Sequence, residues 1–179
     1  MSGKSEKGIE EKKNKFMMEQ FFLASWKAAL SHNHFWEEGI NYNQKRNFRI
    51  EVYRTVKEII ESYKILKEVS SELHQKNIDK LKKLHPENGS ELGIGKAQKI
   101  LNIMCKYCWC CGWIPEPPHP VIDRQIIARC SKDELKKISW PQMSDKEYND
   151  IIADLEKVCA CENKTPAKWE LENWRSSLD

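Results

Sequence analysis

Apolar residues recur every three or four positions along most of this chain, and no stretch alternates apolar with polar residues as a half-buried strand does. From Phe16 to Leu30, FMMEQFFLASWKAAL puts Phe16, Phe22, Leu23, Trp26 and Leu30 at helical spacing, which predicts a core helix. SHNHFWEEGINYNQ breaks the pattern and reads as a polar surface loop, with His32 and His34 as solvated loop residues. FRIEVYRTVKEIIESYKILKEV resumes it through Ile50, Tyr53, Val56, Ile59, Ile60 and Tyr63. SSELHQKNIDKLKKLHPEN predicts a short amphipathic helix with Ser70 or Ser71 as its N-cap and Pro86 as its stop. A glycine-bearing turn, ENGSELGIG, then precedes a helix predicted from about Lys96 to Trp113.

The four prolines of IPEPPHP fix the backbone and remove donors, so this segment is a stiff connector. VIDRQIIARC predicts a helix of about two turns with Ile122, Ile126 and Ile127 on its apolar side. KDELKKI, SDKEYNDIIADLEKVC with a Ser144/Glu147 capping box, and TPAKWELENW with Thr165 and Pro166 at its start predict three more helices. The terminal one carries Trp169 and Trp174, five apart, which are expected to pack. The fold class is therefore all-α, a compact multi-helix domain. Residues 1–15, rich in Lys and Glu, read as a polar N-terminal extension, and residues 16–179 as a single all-helical domain.

Charge and cysteine content narrow the picture. A net charge of +3, from 30 basic and 27 acidic side chains, does not by itself mark a nucleic-acid binder, so any basic surface is local. Apolar runs are too short to cross a bilayer, and MSGKSEKGIEEKKNK lacks the apolar core of a signal peptide; the expectation is a cytoplasmic monomer with no membrane partner. Cys105, Cys108, Cys110 and Cys111 crowd one helical segment where they cannot form a disulfide ladder, which points to reduced thiols. Their Ile, Met, Tyr and Trp neighbours favour buried cysteine over a metal site, so neither metal nor cofactor is expected.

The chemistry concentrates in LGIGKAQKILNIMCKYCWCCGWIPEPPHPVIDR, residues 92–124. Gly93 and Gly95 in front of a helix let the backbone approach a phosphate, which the free N–H groups and dipole of the helix start would attract. Lys96, Lys99 and Lys106 share one basic stripe on that helix. The plainer alternative is a simple turn followed by a solvated lysine face. Asp123, behind the prolines and at the head of an apolar helix, is placed to be that helix's N-cap.

LGIGKAQKIL followed by PVIDRQIIAR resembles the hairpin and aspartate of the helix–hairpin–helix DNA glycosylase superfamily, whose pattern is a G-x-G-x-x-T-A-type turn and then V-D-x-H-V-x-R. The proline-bearing connector is more similar to the archaeal 8-oxoguanine glycosylase branch. The resemblance covers about 35 residues closely, and the helical layout of the whole chain loosely. It departs where Arg124 and Gln125 replace the family's histidine stretch, and no C-terminal four-cysteine cluster is present.

The resemblance implies a hairpin turn near 89–97 and a catalytic-type loop at 114–124. It also implies a DNA N-glycosylase that flips and excises a modified base, with a lyase step if a lysine attacks the sugar. Asp123 would steady charge on the sugar, and Lys96, with Lys99 as reserve, would be the amine nucleophile. Gly93, Gly95, Lys99, Lys106 and Arg124 would contact DNA. Trp36, Tyr42, Trp109 and His119 would form the base pocket. Two other readings stay open: a non-enzymatic helical DNA-binding module that keeps Asp123 only as a cap, and a metal protein ligated by Cys105, Cys108, Cys111 and Cys159.

Overall fold

The computed structural model describes residues 2–30 and 35–174; His32 and His34 lie outside them. The described residues hold α-helices and short 3-10 turns and no strand. The α-helices run in the order α1 (Ser2–Leu30), α2 (Tyr42–Lys64), α3 (Ser71–Lys82), α4 (Gly93–Cys110), α5 (Arg124–Ile127), α6 (Asp145–Cys161) and α7 (Pro166–Asn173). Among them no helix is long and apolar enough to cross a membrane.

Local chemistry sets the boundaries. Asn41 and Gln44 form a capping box, with Gln44 N–H donating to Asn41 Oδ1 at 3.1 Å and Asn41 N–H donating to Gln44 Oε1 at 2.9 Å. Two otherwise unpaired donors are satisfied, so α2 starts well before the apolar periodicity does. Ser70 caps α3, and the Ser144/Glu147 box caps α6 as the sequence predicts. Helix α4 stops where Gly112 takes φ +71 and Trp113 N–H returns to Cys108 O at 2.8 Å, a glycine-terminated end. The predicted helix after Asp123 lasts only four residues, and KDELKKI contributes a 3-10 turn, Leu135–Lys137.

Helix α4 is the centre of the core. Ala97, Ile100, Leu101, Met104, Cys105 and Cys108 are fully buried on it, with α1 along one side and α3 along another. On α1 the buried line is Met18, Phe22 and Ala29, whereas Phe16 and Leu23 are exposed. The apolar count on this helix exceeds the width of one face, so part of the predicted stripe turns to water. Trp169 is buried and donates its indole N–H to Glu162 beside α6, while Trp174 stays 58% exposed. Trp169 thus packs into the core as expected, whereas most of Trp174 is exposed.

Gly95 is where the hairpin reading meets packing. A Cβ there would lie 2.0 Å from the carbonyl oxygen of Trp140, because the 3-10 turn Trp140–Gln142 rests directly on the start of α4. The glycine serves an internal close approach and does not offer its backbone to a phosphate, contrary to the sequence expectation. Gly95→Ala should destabilise the protein by about 1–3 kcal/mol, the usual range for forced overpacking, read as a lower urea midpoint at constant slope. An unchanged midpoint would mean that the Trp140 segment is free to lift away.

Candidate functional site

Two amides on the buried arc of α4, Gln98 and Asn102, grip the backbone of the proline connector. Gln98 Oε1 accepts from Ile122 N–H at 3.1 Å while its Nε2 donates to Ile122 O at 2.7 Å. Asn102 Nδ2 donates to Pro120 O at 2.7 Å. His74 Nε2–H donates to Asn102 Oδ1 at 2.7 Å, and Tyr63 O–H donates to His74 Nδ1 at 3.1 Å, which fixes a neutral histidine. From the other side Glu170 accepts Val121 N–H at 3.1 Å and pairs with Lys106. Sequence reasoning passed over Gln98 and Asn102. The available signal was two amides one turn apart inside an apolar arc, which burial obliges to find partners.

This grip delivers Asp123. Its Oδ1 accepts from Gln125 N–H at 2.9 Å and Ile126 N–H at 3.2 Å, capping α5. Its Oδ2 lies 3.9 Å from Lys99 Nζ. The Lys99 side chain is only 12% exposed, and its ammonium sits 4.1 Å from the centre of the Trp140 ring. Burial lowers the Lys99 pKa from its ordinary value, with Asp123 opposing that shift.

Lys96, the first choice for the amine, points elsewhere. Its Nζ donates to Pro141 O at 3.4 Å and lies 5.5 Å above Phe35. Residues three apart on a helix differ by about 60° around its axis. That is enough to set Lys96 between Pro141 and Phe35, and Lys99 between the Trp140 ring and Asp123.

Lys99 and Asp123 line a pocket of about 350 Å³ together with Lys106, Glu170, Tyr107 and Trp174. Tyr107 stacks on Phe21 with ring centres 5.0 Å apart, so one face of the pocket is a held aromatic ring. Burial raises the Glu170 carboxyl above its ordinary range, against the pull of the Lys106 ammonium. Lys106 is thus committed to a carboxylate and does not stand free for phosphate as expected. Gly93, at φ +72 with open space around it, and Arg124, exposed and without a charged partner among the described residues, remain accessible.

None of the four residues expected to form the base pocket lines this one. Trp36 packs with Trp26, Phe35 and Phe48; Tyr42 is 73% exposed at the start of α2; Trp109 lies on the margin of the core. His119 is buried, its Nε2 2.6 Å from Ser71 Oγ and its Nδ1 2.8 Å from Tyr148 O–H. The Ser71–His119 contact is no nucleophile–base pair. Burial depresses the imidazole pKa to about 3, and its second partner is a neutral phenol where a carboxylate would be needed to hold an imidazolium.

The cysteines do not assemble a metal centre. Cys105, Cys108 and Cys159 are buried and Cys111 is exposed, and no group of three or more His, Cys, Asp or Glu is placed to hold an ion among the described residues. Burial pushes the Cys108 thiol up to about 12, away from the thiolate a metal would need. Comparison of the chain with protein families, curated proteins and solved structures gives no match.

Proposed function

We propose that the Lys99–Asp123 pocket is the catalytic site of a DNA glycosylase of helix–hairpin–helix type with a lyase step, the hairpin being α3, the turn at 83–92 and α4. The observation that carries this reading is a largely buried amine 3.9 Å from a carboxylate on the wall of a pocket of about 350 Å³. That volume is ample for a single base turned out of the helix, and Tyr107 and Trp174 supply aromatic faces for it.

The chemistry needs each group where it stands. As the glycosidic bond breaks, its electron pair leaves with the base, which takes up a proton from water, and positive charge builds on the sugar. Oδ2 of Asp123, the oxygen not used in capping, stabilises that charge. The neutral Lys99 amine then bonds to C1′ and sheds a proton to solvent, and as the nitrogen lone pair expels O4′, which takes up a proton from solvent, the opened sugar is left as a Schiff base. An amine attacks only when unprotonated, which is what the burial of Lys99 promotes. The partner is DNA, gripped in part by exposed Arg124, and the site is complete within one chain.

Borohydride reduction of the protein with duplex DNA containing an abasic site tests this directly. A covalent adduct is expected, and peptide mass mapping should place it on Lys99. Attachment to Lys96, or no adduct at all, overturns the assignment. Salt-dependent duplex binding without an adduct, unchanged in Asp123→Asn, would make the hairpin a binding module and Asp123 only a cap.

A further inference from the structure

A second groove lies at the start of α2. Tyr42, Lys45, Arg46 and Arg49 fall on one helical stripe, and Trp26 and Trp36 line the same groove of about 230 Å³. No acidic side chain lines it among the described residues. Neither Arg46 nor Arg49 has a carboxylate partner among them, although eleven of the described lysines pair with one. Lys45 Nζ stands 5.5 Å over the Trp36 ring, so the floor is aromatic and the rim cationic. Tyr42, 73% exposed, is an aromatic ring held at the head of a capped helix with little to pack against. None of these residues lines the Lys99–Asp123 pocket.

We propose that this groove binds single-stranded nucleic acid, with a base stacked on Tyr42 and the neighbouring phosphates held by Lys45, Arg46 and Arg49. Charge complementarity selects an anionic polymer, and the exposed ring selects one that carries flat faces. Every base presents such a face, so binding is tolerant of sequence. A paired duplex keeps its faces stacked and cannot use Tyr42. The groove extends the proposed function to a strand contact away from the pocket, but its test needs no chemistry at Lys99.

Fluorescence anisotropy of a labelled twelve-nucleotide oligothymidylate with the full chain is the experiment. Three phosphate contacts predict a log–log salt slope of about −2, so affinity should fall about fifteen- to twentyfold from 50 to 200 mM salt. Arg46→Ala/Arg49→Ala should flatten that slope to roughly a third of its value. Tyr42→Ala should weaken binding about tenfold or more and leave the salt slope in place. Lys99→Ala should bind like the unaltered chain, which separates failure here from failure at the catalytic pocket. Three results would overturn the proposal: normal binding by both the Tyr42 and the arginine variants, equal binding of a base-free abasic strand, or equal competition by polyglutamate. Circular dichroism of each variant establishes that it is folded.

Discussion

Asp123→Asn should reduce base release and adduct formation by roughly 100-fold or more while leaving the thermal midpoint within about 2 °C of the parent. The two halves of that result separate the two tasks of one side chain. Asparagine caps a helix as well as aspartate does, so the bonds from Gln125 and Ile126 to Oδ1 survive the exchange. The charge of Oδ2 facing Lys99 does not. Because Asp123 raises the Lys99 pKa against burial, its loss should also move the rise of any residual lyase activity to lower pH. Unchanged activity would leave Asp123 as a cap alone and remove the catalytic reading.

Stability should fall by on the order of 4 kcal/mol between pH 7.5 and pH 5, measured as a lower urea midpoint. The cause lies in two interior imidazoles, His74 and His119, whose rings meet edge to face at 5.0 Å. Burial depresses His74 to about 4 and His119 to about 3, from an ordinary 6.5. Below pH 6.5 the unfolded chain takes up protons that the folded one refuses, so stability drops as pH falls, until about 4 for His74 and about 3 for His119. By pH 5 each accounts for on the order of 2 kcal/mol, a large part of a typical 5–15 kcal/mol total. Glu170, with its raised carboxyl pKa, acts in the opposite sense because protonation relieves its burial. His74→Gln/His119→Gln should abolish most of the difference between the two pH values even where it lowers stability at both. A double variant with the full acid loss would refute the histidine origin.

What the sequence made legible followed from periodicity and caps. The interior face of α2, the Ser144/Glu147 box and the N-cap position of Asp123 could be read because each depends on residues a few positions apart. The early start of α2 was equally local, in Asn41 and Gln44, but its polar setting disguised it as loop. The site was harder. Choosing Lys99 over Lys96 needs the position of the Trp140 turn, some forty residues away, and no local pattern reports that. The aromatic lining of that pocket is hard to read for the same reason: Tyr107 and Trp174 come to one pocket only through the packing of α4 and α7 around the connector. Tyr42 and Trp36, expected in the base pocket, sit together in a groove of their own.

The Gln98–Asn102 grip acts on peptide groups, not on side chains. The identities of Pro120, Val121 and Ile122 are therefore open to exchange for apolar residues of similar bulk, whereas the amide pair on α4 is not. A chain built this way could drift widely across its connector and still present the same aspartate to the same lysine, so in divergent copies the two amides should outlast the prolines they hold.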